Sequence, residues 1–214
     1  MAYKDKENGV NVDPASFWGH IGKSKGARNS FLQRPTEDAY WASGQQNAKY
    51  LLRRVPSPKV AVEYGSGDGR IARFVAPACE RFVCVDIARS VLDLAQAQLT
   101  KAGILNVEYR LAGEFAETDF ADLVYCFQVV QHNPVAEQFR IFERIHSYLR
   151  PGGVACIHLA AAESIPGHQN ISTCMRFTRS EAEELATSVD WQFTIERRPL
   201  APDIPFDHLV WARK

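Results

Sequence analysis

The chain reads as an α/β protein built on a parallel sheet, and three observations lead there. After Pro56-Ser57-Pro58, apolar strand-like runs at 59–64, 81–86 and 106–111 alternate with helical stretches at 69–77 and 89–102, the second closed by Gly103. Strands separated by helices must lie parallel, because each helix is the crossover that returns the chain to the same end of the sheet. The first run also ends in Glu63-Tyr64-Gly65-Ser66-Gly67-Asp68-Gly69-Arg70, with glycine at every second position, and the second ends at Asp86. Glycine adopts positive φ and lets a ligand approach the backbone, as the tight strand-to-helix turn of a nucleoside-binding crevice requires.

The remaining elements follow in order. Asp13-Pro14 offers an N-cap with proline at N1, and Ser43-Gly44-Gln45-Gln46 has the form of a capping box. Two short helices are therefore expected before the first strand, the second running to about Arg54. Residues 22–30, polar and glycine-containing, are expected to form a lid-like loop. Ala121 to Phe127 is a fourth strand, and Asn133-Pro134 opens a helix with Val135, Phe139, Phe142, Ile145 and Leu149 on one face. Pro151-Gly152-Gly153 stops that helix. A fifth strand, Val154 to Ala160, leads to an irregular segment at 161–177. Thr178-x-x-Glu181 is a second capping box, for a helix reaching about Ser188. Two last strands, near 191–198 and 206–213, flank Asp203-Ile204-Pro205. That connection is too short for a crossover helix, so the pair is predicted to be an antiparallel hairpin.

Bulk properties narrow the function. With 214 residues, 46% of them hydrophobic, the chain can bury one sizeable core. Twenty-five basic residues balance twenty-five acidic ones, so the electrostatic footprint of a nucleic-acid binder is missing and a small or neutral partner is favoured. The first nine residues are polar and charged, and no run of about 18 apolar residues occurs, which argues against secretion and membrane spanning and for the cytoplasm. The five cysteines, Cys79, Cys84, Cys126, Cys156 and Cys174, are odd in number, and three lie in apolar strand-like runs, so reduced, buried thiols are expected. No C-x-x-C pair exists, and the six histidines lack metal-ligand spacing; no metal site is expected.

The motif Glu63-x-Gly65-x-Gly67-x-Gly69, followed by Asp86, by Asp122 near the start of the fourth strand and by Leu149-Arg150-Pro151-Gly152-Gly153 before the fifth, resembles that of class I S-adenosylmethionine-dependent methyltransferases. The likeness covers about residues 59–213. It implies a Rossmann-like seven-stranded mixed sheet in the order 3-2-1-4-5-7-6, the last strand antiparallel, with helices on both faces and a short N-terminal helical lid. Residues 1–54 are then the cap segment and 55–214 the catalytic domain, compact overall. The implied cofactor is S-adenosylmethionine. It carries no phosphate, so its pocket needs backbone amides and a carboxylate rather than Walker-type lysines. By the resemblance Glu63 organises the methionine end and the loop, Gly65, Ser66, Gly67, Gly69 and Arg70 form the loop that admits the cofactor, and Asp86 takes the ribose hydroxyls in a bidentate fashion. Ile87, with Gly113, Glu114 and Phe115 after the third strand, lies beside the adenine. Gln128 adds a contact after the fourth strand.

Each motif also has a plainer reading. A glycine turn serves many strand ends, Asp86 could cap the helix that starts at Arg89, and Asp122 reads as a structural residue rather than a catalyst. His132, in Gln128-Val129-Val130-Gln131-His132, is the candidate general base, since imidazole titrates near neutrality; a packing role is the alternative. His158 and His168 are read first as packed or surface side chains. Phe17, Trp18, Phe31, Tyr40 and Trp41 either roof an acceptor pocket or pack the flanking helices down. The acceptor is expected to be a small molecule methylated on oxygen or nitrogen, because the fourth strand does not end in an Asn-Pro-Pro-Tyr or Asp-Pro-Pro-Tyr motif. A non-catalytic cofactor-binding scaffold and a nicotinamide-dependent oxidoreductase are the competing readings. The latter calls for G-x-G-x-x-G spacing, which is not the spacing here. Oligomeric state is open.

Overall fold

Seven strands form one mixed sheet: β1 (Val60–Tyr64), β2 (Arg81–Asp86), β3 (Val107–Leu111), β4 (Ala121–Cys126), β5 (Leu149–Leu159), β6 (Gln192–Arg198) and β7 (Asp207–Arg213). Their order is β3-β2-β1-β4-β5-β7-β6. The pairs β1–β2, β2–β3 and β4–β5 are parallel, and β7 runs antiparallel to both β5 and β6. This is the sheet that the resemblance implies. The helices are α1 (Pro14–Lys23), α2 (Glu37–Arg54), α3 (Ala72–Val75), α4 (Arg89–Lys101), α5 (Val135–Tyr148) and α6 (Arg179–Thr187). Single 3-10 turns occur at Ala76–Ala78 and Val130–His132, and Tyr3–Lys4 pairs with Asn11–Val12. The structure, a computed structural model, describes residues 3–4, 11–12, 14–23, 36–162, 175–198 and 207–214. The loop expected as a lid lies largely outside these residues, as do Asp13, Phe31, His168, Cys174, most of the irregular 161–177 segment and the Asp203-Ile204-Pro205 connection. By internal contacts the chain divides into two units, Asp13–Ala116 and Met1–Val12 with Glu117–Lys214.

In the unit Asp13–Ala116, β1 and β2 are buried over almost their whole length, which is why they read as unbroken apolar runs rather than alternating ones. Val91, Leu92, Ala95 and Leu99 of α4 recur at helical spacing and are buried. The helix closes with the Gly103 amide donating to the Thr100 carbonyl at 2.9 Å, Gly103 itself lying at φ +76°. Two expectations are corrected here. Helix α2 starts at Glu37 rather than at Ser43, because the Thr36 hydroxyl accepts from the Ala39 amide at 3.1 Å and Glu37 and Asp38 bring negative charge to the first turn. Ser43 is thus interior to the helix. Helix α3 is shorter than the 69–77 stretch, since Gly69 at φ +85° still belongs to the turn and Pro77 sits in a 3-10 turn. At the sheet edge, Glu108 of β3 binds Arg81 at 2.7 Å and Arg110 at 2.8 Å.

In the unit with Glu117–Lys214, α5 begins at Val135, but Asn133 does not cap it: its side-chain amide donates to the Val129 carbonyl at 2.8 Å. The buried face is Gln138, Ile141, Phe142, Ile145 and Tyr148. Val135 is 54% exposed and Leu149 already belongs to β5, so the apolar stripe is rotated from the expected one. Gln138 takes a core position because its amide donates to the Asn133 carbonyl at 2.8 Å. Strand β5 begins five residues before Val154, and Pro151-Gly152-Gly153 forms an irregularity between the Ala121↔Leu149 and Leu123↔Val154 pairs. Asp122 at the start of β4 pairs with Arg150 at 2.6 Å, a structural role. Helix α6 carries the predicted capping box, with Thr178 and Glu181 reciprocally bonded. β6 and β7 form the predicted antiparallel pair. Cys84, Cys126 and Cys156 are buried within strands and not disulfide-bonded, and Cys79 is partly exposed.

A Cβ at Gly153 would lie 2.7 Å from the Ala121 carbonyl oxygen and 2.9 Å from that of Arg150, both backbone atoms that cannot step aside. Gly153→Ala is expected to cost about 2 kcal/mol or more of unfolding free energy. At Gly152 (φ +80°), where a Cβ meets nothing, alanine carries only the left-handed backbone penalty of about 1 kcal/mol. Urea denaturation of the two variants checks the order.

Candidate functional site

Three segments converge at the carboxyl ends of β1, β2 and β3, all in the unit Asp13–Ala116. The first is the loop Gly65–Arg70. The amides of Gly65 and Ser66 both donate to the Val85 carbonyl, at 2.7 and 3.1 Å, so the loop starts by leaning on the end of β2. Gly65, Gly67 and Gly69 have φ of +74°, +56° and +85°, a left-handed alternation that only glycine takes at little cost. Glu63, 3% exposed, accepts from the Ala72 amide at 3.0 Å and so ties β1 to the first residue of α3.

The second segment is Asp86-Ile87. One Asp86 oxygen accepts from the Gly67 amide at 3.0 Å and the other from the Ala88 amide at 3.2 Å. Asp86 is therefore not the cap of α4, whose N-cap is Ala88; its carboxylate joins the glycine loop to the turn after β2. Burial pushes this carboxyl above the usual aspartate value of 3.8, against the pull of the Gly67, Ala88 and Ile87 amides. Burial likewise drives the Cys84 thiol well above its usual value, and the Glu63 carboxylate beside it adds to the shift. Ile87 next to Asp86 presents an apolar side chain 44% exposed.

The third segment is Ala112–Phe115. The Ala112 amide donates to the Asp86 carbonyl at 2.9 Å, and the Glu114 and Phe115 amides turn back onto the Leu111 carbonyl. Gly113 and Glu114 are exposed and Phe115 is half-buried.

Behind the loop lies α2, an arrangement that the sequence did not disclose. The Tyr40 hydroxyl donates to an Asp68 carboxylate oxygen, and both residues are buried. Arg70 donates to the Ser43 hydroxyl at 3.0 Å, its guanidinium 5.9 Å from the centre of the Tyr40 ring. Gly44 lies against the Arg70 backbone, where a Cβ would fall 2.3 Å from the carbonyl oxygen. A glycine in mid-helix was the available signal, since it costs about 1 kcal/mol there unless packing requires it. Of the predicted loop residues, Ser66 has a buried side chain and Arg70 is committed to α2, so both shape the loop from within.

In the unit with Glu117–Lys214, Gln128 follows β4 at φ +61°, an uncommon conformation for a residue with a side chain. Its amide donates to Nδ1 of His158 at 3.1 Å, and Nε2 of that ring lies 3.1 Å from Asp207. An acceptor Nδ1 carries no hydrogen, so the proton of the neutral ring is on Nε2, facing Asp207. His158 is buried and stacked 5.9 Å from Phe127. It is a packed residue with both nitrogens engaged. Burial alone would raise the Asp207 carboxyl, but its hydrogen bond with His158, the Ala161 amide and the Arg176 charge hold it below the usual value. His132 ends the 3-10 turn, half-buried, its amide bonded to the Val129 carbonyl.

A Cβ on Gly67 or Gly113 meets nothing within 4 Å, so space opens over both turns. The Asp86 carboxylate accepts from the Gly67, Ala88 and Ile87 amides, and two carboxylate oxygens have acceptor capacity beyond these for a hydroxyl. A methyltransferase-domain family model matches residues 61–153. No curated protein matches the chain. Among solved structures, 1,6-didemethyltoxoflavin N1-methyltransferase of Burkholderia thailandensis, with 1,6-didemethyltoxoflavin and S-adenosylhomocysteine bound, aligns at a TM-score of 0.68 and 19% identity, over 96% of this chain and 92% of that one. Phosphoethanolamine N-methyltransferase 1 of Haemonchus contortus, with phosphoethanolamine and S-adenosylhomocysteine, aligns at 0.71 and 17%, over 92% of this chain and 47% of that one. Mitomycin 7-O-methyltransferase aligns at 0.68 and 20%, over 92% and 60%. At these identities the likeness is one of fold. Residues 61–153 are thus similar to a methyltransferase domain, within a seven-stranded sheet of Rossmann-like order, and the first two of these structural neighbours hold S-adenosylhomocysteine. Among the described residues, no helix is long and apolar enough to cross a membrane.

The Asp207 carboxyl is lowered in the fold, so its contribution to stability is in place above the unfolded value of 3.8 and is lost as pH falls below that through the folded value. Asp207→Ala, which strips Nε2 of His158 and the Ala161 amide of their buried acceptor, is expected to cost about 3 kcal/mol at neutral pH. That deficit should narrow only under acid conditions, in chemical denaturation followed across pH.

Proposed function

We propose that this enzyme moves the methyl group of S-adenosylmethionine to an oxygen or nitrogen of a small-molecule acceptor. The observation that carries the cofactor side of this reading is the Gly67–Asp86 junction: an open left-handed glycine turn whose amide is bonded to a buried carboxylate. In this reading Gly65, Gly67 and Gly69 let the cofactor approach the backbone, Asp86 accepts the ribose hydroxyls, and Ile87, Gly113, Glu114 and Phe115 flank the adenine. Glu63, Ser66 and Arg70 set the loop, and Gln128 is a further contact. When bound, the cofactor supplies an electrophilic methyl group on a sulfonium sulfur, so the protein's task is to hold the acceptor atom close and aligned with water excluded.

Balanced charge and the activities of the structural neighbours, on toxoflavin-type and mitomycin-type molecules and phosphoethanolamine, support a small acceptor. An acceptor that arrives protonated needs a base, and His132 on the turn after β4 is assigned that proton. His158 is unsuited to it, since its Nδ1 lone pair is already used.

Titration calorimetry with S-adenosylhomocysteine tests the cofactor site. Wild type should bind, and Asp86→Ala should weaken binding about tenfold or more, as loss of a charge-assisted pair of hydrogen bonds implies. No binding by wild type sinks the reading. Because the folded Asp86 pKa is raised, the carboxylate takes up its proton at a pH above 3.8, so affinity should begin to fall on acidification earlier than for an ordinary aspartate, and Asp86→Asn should flatten that dependence. His132→Ala should leave S-adenosylhomocysteine affinity intact. With an acceptor found by screening cell extract for product, the same variant should lower kcat by about 100-fold or more.

A further inference from the structure

We propose that α2 is a working part of the cofactor cradle, in which Tyr40, Ser43 and Gly44 are positioning residues that set the glycine loop from behind. This rests on the reading that residues 65–70 hold the cofactor. The loop is gripped on two sides. On one side β2 takes the amides of Gly65, Ser66 and Gly67 through the Val85 carbonyl and the Asp86 carboxylate. On the other, α2 takes the side chains of Asp68 and Arg70, the residues that flank Gly69.

Helical geometry makes this grip possible. Tyr40, Gly44, Asn47, Ala48 and Leu51 recur at helical spacing and form the buried stripe of α2, with Ser43 at its margin. Ser43 Oγ donates to the Tyr40 carbonyl at 2.7 Å, which fixes its lone pair for the Arg70 guanidinium. The Tyr40 ring lies under that guanidinium, and its hydroxyl reaches the Asp68 carboxylate. Gly44 lets the helix backbone touch the Arg70 carbonyl; any side chain there must push helix or loop away. The contacts of α2 thus converge on the turn that carries Gly67, and a shift of the helix moves that amide relative to Asp86.

Such coupling is reciprocal: a ligand that settles the loop must settle the docked helix by the same free energy. Two measurements test this on the full chain. In calorimetry with S-adenosylhomocysteine, Tyr40→Phe and Asp68→Ala should each weaken binding about tenfold, the double variant should bind no more weakly than Asp68→Ala alone, and Asp68→Asn, which keeps an acceptor for the hydroxyl, should lose about threefold or less. Hydrogen exchange of wild type should show S-adenosylhomocysteine slowing the amides of 37–54, a result that needs no variant to fold. Tyr40→Phe binding within about twofold of wild type, losses that simply multiply, or no protection of 37–54 overturns the proposal. Failure of wild type to bind S-adenosylhomocysteine instead overturns the cofactor reading itself, so the two failures are told apart.

Discussion

The bond between the Gly67 amide and the Asp86 carboxylate is the constraint on which the proposed cofactor chemistry depends. A turn with three left-handed glycines has many conformations in the unfolded chain and needs strong local contacts to hold one. Here the parallel register that sets Tyr64 opposite Val85 brings the end of β2 alongside the turn, and a buried carboxylate completes the junction. Burial opposes ionisation of that carboxylate, and the amides gathered around it offset part of the cost. The arrangement therefore holds an anion ready in a place where an isolated one would be expensive.

Much of this was legible in the chain because local chemistry and global fold agree. The β1–α3–β2–α4–β3 alternation, the Gly103 terminus, the Thr178–Glu181 capping box and the terminal antiparallel pair each rest on short-range rules, and the structure shows them as predicted. The misses share a cause: a local pattern was outbid by a better partner. Ser43-x-x-Gln46 matches a capping box, yet Thr36 with two acids behind it starts the helix earlier. Asn133-Pro134 reads as a helix entry, yet the Asn133 side-chain amide turns to Val129. Proline and glycine after α5 read as a stop between elements, whereas they bend a strand already under way.

The proposed site divides along the same line. Glycine spacing and a strand-terminal aspartate are sequence-local, so Gly65, Gly67, Gly69 and Asp86 were nameable in advance. Tyr40 with Asp68, Ser43 with Arg70 and His158 with Asp207 are encounters between residues far apart in the chain, and no spacing rule connects them. His158 shows what is lost without geometry. As a residue type it suits acid–base work, but its neighbours fix the tautomer and occupy the ring.

The charged residues of the outer strands bear on how this molecule keeps company with itself. β3 carries Glu108 and Arg110 and β6 carries Glu196, Arg197 and Arg198 on the two borders of the sheet. A foreign chain zippering onto either border would have to strip water from those ions, a penalty that discourages amyloid-like stacking. The sheet's own margins thereby act as gatekeepers against edge-to-edge pairing.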